Sequence, residues 1–441
     1  MRNKKRLVLI TLLVTLLGGL AIVFGIGVIS KRAPQTAIGQ TQLAAATTEP
    51  ASRSDRQIQA AQKAIERAPA NPDGYNLLCA AFMKKARETG DFGFNKRAEA
   101  ALQRSFEQSK SADNYDAIKL QAALLLTYHK FNEALEVARR AQAMRPEDSL
   151  NYGAITDALV ELGDYAEAFK STQTMMNLRP STASYSRVSY LRELQGDTRG
   201  AIEAMRAATE AAGDPETSAW CRVHLGDLLA NANQVNAAEH EYDGALYVFP
   251  DYHLALAAKA RARLAAGDAE AAIDFYQKSL ARVPLPDTAI ALGDLYAKLG
   301  RTDDAKKQYD LVELIERTSA ASGTYSRALA LFYADHDLKL DDALQIAQRE
   351  RAARSDIFTC DALGWVLYKK GDFAGAKAAS DEALRLGTRD ARIHYHAGMI
   401  ARALGHKREA TLYLQLALKL NPFFDVLQSD VARQTLRSIT A

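Results

Sequence analysis

Between Cys360 and Leu384 the apolar positions fall three and four residues apart, break at a glycine, and resume. In CDALGWVLYKKGDFAGAKAASDEAL the first run carries Leu363 and Leu367. Gly371 and Asp372 interrupt it, and Phe373, Ala376 and Ala383 mark the second. This spacing gathers apolar side chains on one face of a helix, so the stretch predicts two helices joined by a tight turn. The same order recurs elsewhere. LGDLLANANQVNAAEHEYDGALYVFP sets out Leu225, Gly226, Leu229, Ala238, Tyr242, Ala245 and Pro250. LGDLYAKLGRTDDAKKQYDLV sets out Leu292, Gly293, Tyr296, Gly300, Ala305 and Tyr309, and AGMIARALGHKREATLYLQLALKLNP sets out Gly398, Gly405, Ala410, Leu414, Ala417 and Pro422. Gly364 and Gly398 stand about 34 residues apart, and a fixed period of that size decides the fold before any single motif does.

The breaks are as regular as the runs. Gly163, Gly196, Gly267, Gly300, Gly371 and Gly405 each end the first helix of a copy, where a left-handed residue is needed. Asp164, Asp197, Asp268 and Asp372 follow at once and are placed to cap the second helix. Glu167, three residues after Asp164, has capping-box spacing. Pro146, Pro180, Pro250, Pro284 and Pro422 stop the second helices, because proline disfavours the helical conformation of its predecessor. Near Tyr75 the segment ETGDFGFNK predicts a longer connection, and the copies near Ile118 and Ser326 fit with small insertions.

A Leu-Gly pair, then an aromatic, then Ala, an aromatic and Pro at this period resembles the tetratricopeptide repeat (TPR). The resemblance covers residues 54–422 in about ten copies. It departs from the pattern where Cys360, Ala289 and Arg222 replace the initial aromatic. It implies an all-α fold, an α-solenoid of stacked helix pairs in a right-handed superhelix, with the first helices lining the concave face. In that family the concave face holds protein or peptide partners. The family register brings Asp157, Tyr190, Asp227, Arg261, Asp294, Trp365 and Met399 to one inward-facing position in successive copies, with Tyr368 one turn from Trp365. Asp157, Asp227, Arg261, Asp294, Trp365 and Tyr368 are therefore the candidate partner-binding residues. Trp365 lies about 200° around the helix from Leu363, off the centre of the packed stripe. It either faces the groove or meets a neighbouring helix edge. The Lys/Asn set of chaperone-tail-binding TPR domains is absent. Residues 423–441 form a terminal helix with one apolar face, read as a cap for the solenoid, with a partner-binding helix as the alternative.

Chemistry adds little beyond the repeats. The chain has 441 residues, 48% hydrophobic and 25% charged, and a net charge of +3. Basic residues are mixed with acidic ones, as in RTDDAKK, which argues against a nucleic-acid partner. Cys79, Cys221 and Cys360 sit far apart on first helices and read as buried thiols. A disulfide between them would need distant copies to touch, which a solenoid disfavours. His394 and His396, two apart, point to different faces and do not form a metal pair. No phosphate loop, dinucleotide loop or nucleophile elbow occurs. The expectation is a non-enzyme without catalytic residues, cofactor or metal.

The N-terminus is a different object. Residues 1–6 form a short basic tail, and Leu7–Ser30 is uncharged. As a helix this run reaches roughly 36 Å, enough for a hydrocarbon core of about 30 Å. A cleavable signal peptide would have an apolar core of only about 7–15 residues, so a retained signal anchor is the reading, and secretion after cleavage the alternative. Positive charge is heavier before the run than behind it, at Lys31 and Arg32, which puts the tail inside and the repeats outside, in the periplasm of a bacterial-type cell. Residues 31–53 read as a flexible linker. The function expected is a membrane-tethered scaffold that binds a partner in its concave face. The alternative is an accessory subunit of a cell-envelope enzyme, secretion or polymer-export complex.

Overall fold

The structure, a computed structural model, describes residues 52–109, 113–320 and 327–440. The Leu7–Ser30 run and nearly all of the linker lie outside the described residues. Among those described there is no strand, and no helix is long and apolar enough to cross a membrane.

The helices are α1 (Arg53–Arg67), α2 (Pro72–Thr89), α3 (Gly93–Gln108), α4 (Tyr115–Thr127), α5 (Phe131–Met144), α6 (Ser149–Leu162), α7 (Tyr165–Leu178) and α8 (Thr182–Leu194). They continue with α9 (Thr198–Glu210), α10 (Pro215–Asn231), α11 (Val235–Val248), α12 (His253–Ala265), α13 (Ala269–Arg282), α14 (Pro286–Lys298) and α15 (Thr302–Ala320). The last are α16 (Arg327–Asp335), α17 (Leu340–Ala353), α18 (Ile357–Lys369), α19 (Phe373–Leu384), α20 (Ala391–Ala403), α21 (Lys407–Leu420) and α22 (Gln428–Thr440). From α2 to α21 they pack as successive hairpins, each even-numbered first helix against the second helix that follows it. α1 packs on α2 at one end and α22 on α21 at the other.

The punctuation works largely as the sequence suggests. The six turn glycines, Gly163 to Gly405, have φ between 74° and 85°. His129, Asn233 and Asp337 take the same left-handed conformation in copies that lack the glycine, at φ 56°, 59° and 53°. Polar residues that bond locally tolerate that region better than other non-glycine residues. This brings the copy near Ile118 into ordinary register without an insertion. Asp164, Asp197, Asp268 and Asp372 each accept a backbone N–H as the cap of the second helix. The capping box at Asp164 is one-sided, because the Glu167 carboxylate instead accepts from Arg139 at 2.7 Å. Each of the five stop prolines follows the C-cap residue of a second helix. The long connection expected near Tyr75 is absorbed by α2, which runs to Thr89 and leaves only Gly90, Asp91 and Phe92 as turn.

The Leu-Gly pair is where the two helices of a copy touch. A Cβ on Gly364 would come 3.2 Å from the Ala376 carbonyl oxygen and 3.3 Å from the Ser380 nitrogen. On Gly293 it would run into the Tyr309 ring. Core packing leaves no room for such an atom without movement of the neighbour.

The solenoid winds tightly enough for successive turns to meet. The Ser355 N–H donates to the Glu161 carbonyl at 2.9 Å, and the Ile357 N–H donates to the Tyr165 hydroxyl, 192 positions away, at 3.0 Å. Gly163 lies against Ser355, Gly196 against Gly387, and Asn421 bonds Asn231 across a separation of 190. One superhelical turn is therefore about five and a half copies. Here the expectation that distant copies stay apart fails. Ile155, Leu159 and Leu191 share one apolar cluster with Ile357, Cys360 and Ile393. Cys79, Cys221 and Cys360 are nonetheless free and buried.

Along this seam Arg354 is buried between carboxylates. It donates to Glu161 at 3.1 Å and also to Glu350, while Arg327 donates to Asp356 at 3.0 Å. Burial, with the charge of Asp356, pushes the Glu161 carboxyl above its ordinary range, and Arg354 opposes that shift.

Candidate functional site

The inner wall is built from the first helices, and its polar residues form ties between several neighbouring pairs of them. On α6, Asp157 takes two bonds from Arg187 of α8, at 2.7 Å from Nε and 2.6 Å from Nη2, and both side chains are buried. Burial pushes the Asp157 carboxyl up to about 6, and the guanidinium pulls the other way. On α10, Asp227 accepts from the Tyr242 hydroxyl at 2.8 Å and from Arg261 of α12 at 2.7 Å. On α14, Asp294 accepts from the Tyr309 hydroxyl at 2.8 Å and pairs with His336 of α16 at 2.8 Å. Burial opposes charging of His336, but the Asp294 bond and charge outweigh it and raise its pKa. Asp335 at the end of α16 accepts the Trp365 indole N–H at 2.8 Å, and Asp361 of α18 meets His396 of α20 at 2.9 Å. An acid on one helix and a donor on the next is an economical way to hold adjacent copies, since each buried polar group finds its partner.

These ties correct the reading of the candidate residues. Asp157 and Asp294 are buried and spent within the chain. Trp365 is 1% exposed and is not a groove-facing aromatic. Its ring stacks on Tyr368 at 4.8 Å and on His396 at 4.2 Å. Trp365 does lie off the Leu363 stripe, but α18 is covered by its own second helix and by the first helices before and after it. Tyr368 is half-buried in that stack. Asp227 and Arg261 remain reachable, with side chains 36% and 52% exposed.

Not every interval is tied: among the described residues neither α8 and α10 nor α12 and α14 share such a pair. Between α8 and α10 the inward position holds Tyr190, and a small cavity of about 50 Å³, open to solvent on one side, lies there instead. Tyr190 and Glu193 of α8 face Trp220, His224 and Asp227 of α10 across it, with Met205 of α9 also in the lining. The Trp220 and His224 rings meet at a tilt of 49° with centres 4.1 Å apart. Burial, with Asp390 and Asp227 nearby, pushes the Glu193 carboxyl up to about 8, and burial lowers the pKa of His224. The sequence reading placed Tyr190 on the wall but missed Glu193, Trp220 and His224. Their spacing of three and four residues on two adjacent first helices was the available signal.

The other half of the concavity is occupied by the chain itself. Between α21 and α22 the non-helical segment around Phe424 touches both α20 and α14, which are three copies apart. The Phe424 ring packs on Tyr395 at 5.3 Å, Asp425 accepts from Arg392 at 3.2 Å, and the Val426 carbonyl accepts from Lys298 at 3.0 Å. Val426 also joins the apolar cluster of Tyr276, Leu292 and Leu295. Helices three copies apart on a turn of about five and a half face each other, so this segment crosses the concavity. Among the described residues no His, Cys, Asp and Glu cluster is placed to hold a metal.

Comparison with known proteins supports the architecture. The tetratricopeptide repeat model matches residues 286–318 and 391–424, the hairpins α14–α15 and α20–α21. No curated protein matches the chain. Among solved structures, the human IFIT1 dimer with PPP-AAAA is similar at a TM-score of 0.50 and 16% identity, over 75% of this chain and 77% of that one. A tetratricopeptide repeat protein from Parabacteroides merdae is similar at a TM-score of 0.34 and 18% identity, over 59% of this chain and 99% of that one. PilW, a type IV pilus biogenesis factor, gives a TM-score of 0.38 and 18% identity, over 50% and 97%. The repeated Leu-Gly contact, the stacked hairpins and the two matched segments agree: the chain contains tetratricopeptide repeats, stacked as an α-solenoid.

Proposed function

We propose that the protein is an interaction scaffold whose concave face holds a segment of a protein partner. The observation that carries this reading is the chain's own Phe424–Val426 segment, seated across the concavity through one aromatic contact, one ion pair and one backbone carbonyl. A wall that accepts a non-helical stretch of its own chain this way offers the same contacts to another chain. The Leu7–Ser30 run anchors this scaffold in a membrane, with the repeats on the extracytoplasmic side.

The test is a photo-crosslinking amino acid at position 298 or 392, the two cation positions that meet the segment, in membranes, in the wild type and in Phe424→Ala with Asp425→Ala. Partner crosslinks that strengthen when the segment is weakened support the reading. Crosslinks that stay within the chain in both forms overturn it. Release of the full-length protein from membranes by alkaline carbonate would overturn the anchor separately.

A further inference from the structure

We propose that the cavity between α8 and α10 is a binding site for a cationic nitrogen, an alkylammonium or guanidinium group held over Trp220 and Tyr190 and against Glu193. There the adjacent first helices carry no acid-to-donor tie. It is also where polar groups are left over. Tyr190, Glu193, Trp220 and His224 all line the cavity, and none of their side chains makes a hydrogen bond within the chain. Half-buried polar groups that converge on a cavity without partners mark a ligand site rather than a structural one.

The chemistry of the lining selects the ligand. Trp220, Tyr190 and His224 present aromatic rings, and the faces of such rings attract cations. The charges around Glu193 are of one sign at short range: Asp227 on α10, itself bonded to Arg261 of α12, and Asp390 at the start of α20. Arg389 packs over Gly196 on the far side of the turn, and His224 is kept neutral by burial. No cation of the chain is bonded to Glu193. An anion would meet carboxylates. A neutral ligand would gain neither the attraction of the ring faces nor an ionic partner in Glu193. A cation satisfies the carboxylate and the rings together, and its arrival ionises Glu193, which holds its proton in the empty site. The pocket is separate from the wall crossed by Phe424–Val426, so it stands whether or not that wall binds a polypeptide.

The experiment uses the full-length protein and four probes. These are n-butylguanidinium, n-butylammonium, the neutral isostere n-butylurea, and acetyl-Gly-Arg-Gly-amide. Titration calorimetry at pH 7 should show saturable binding of both cations, and n-butylurea should bind at least about tenfold more weakly. Heats compared between phosphate and Tris should report release of close to one proton per cation bound. Glu193→Gln should abolish that release and weaken cation binding about tenfold. Trp220→Phe, the gentler of the ring changes, should keep binding measurable, and Trp220→Ala should lose most of it. A peptide that binds more tightly than n-butylguanidinium identifies the source as an arginine of a protein partner, and equal or weaker binding identifies a free amine. Equal binding of n-butylurea, cation binding unchanged in folded Glu193→Gln, absence of saturation, or selective binding of a neutral oligosaccharide overturns the proposal.

Discussion

The chain has two tryptophans, both on first helices, and the structure uses them in opposite ways. Trp365 is sealed: its ring lies between Tyr368 and His396, and its N–H is bonded to Asp335. Trp220 is half-buried, meets only the tilted ring of His224, and its N–H has no hydrogen-bond partner in the chain. The difference follows from what the neighbouring copy supplies. Around Trp365, the adjacent helices bring an acid, a tyrosine and a histidine. Around Trp220, they bring Tyr190 and Glu193, which do not close onto it. A large aromatic on a solenoid's inner wall therefore says nothing about binding by itself. What matters is whether the flanking copies complete its contacts.

The sharpest way to break this comparison is to truncate both rings. Trp365→Ala removes a fully buried side chain and leaves Asp335 without its donor, and should cost about 3–5 kcal/mol. Trp220→Ala opens a cavity that already exists and should cost about 1 kcal/mol. Urea unfolding of the two variants measures both. Equal costs would mean that Trp220 is as structural as Trp365.

Nearly as large an effect is expected at the seam that joins the two regions. α8, which carries Glu193, meets the start of α20, which carries His396, through Gly196 and Gly387. One copy earlier along the same seam Arg354 ties Glu161 to Glu350. Arg354→Ala strands two buried carboxylates and should cost about 3–5 kcal/mol. If the loss is below about 1 kcal/mol, the turns are not locked and the two walls move independently.

The repeat period, the turn glycines, the aspartate caps and the stop prolines were all legible in the sequence, because each is a local event with a local cause. The left-handed turns at His129, Asn233 and Asp337 were not, since the signal sought was glycine. The contact between successive turns was not legible either. It depends on how small rotations accumulate over five or six copies, which no single copy encodes. The same limit explains the misplacement of Trp365. Register put it on the inner wall, but only the neighbouring copies could show that Asp335 and His396 enclose it. The wall residues Asp157 and Asp294 were found by register and misread as free for the same reason.

A pH series separates the two regions further. The folded-state pKa of Glu193, raised by burial to about 8, lies above the ordinary carboxylate value of about 4.3, so the native state binds more protons than the unfolded chain in that interval. Its contribution to stability is therefore lost as pH rises from about 4.3 to about 8. Burial lowers His253 to about 4, which works in the opposite sense and removes stability as pH falls below about 6.5. Between pH 6 and 9 the unfolding midpoint of the wild type should fall, and that of Glu193→Gln should fall less. Parallel curves would show that Glu193 is ionised in the empty pocket.

The smallest effect is optical and needs no ligand. Replacing Trp365 by Phe leaves Trp220 as the sole indole, and replacing Trp220 by Phe leaves Trp365. The Trp365 ring is 1% exposed, so neither caesium nor iodide should quench the Trp220→Phe variant appreciably. Trp220 borders an open cavity beside Glu193 and Asp227, so caesium should quench it and iodide should be kept away. The preference should grow between pH 7 and 9 as Glu193 ionises, and should shrink in Glu193→Gln. It should also weaken with added salt, as exposed charges are screened over about 10 Å at 0.1 M. Equal quenching by the two ions would mean that the pocket carries no negative potential, and Trp220 would then differ from Trp365 only in exposure.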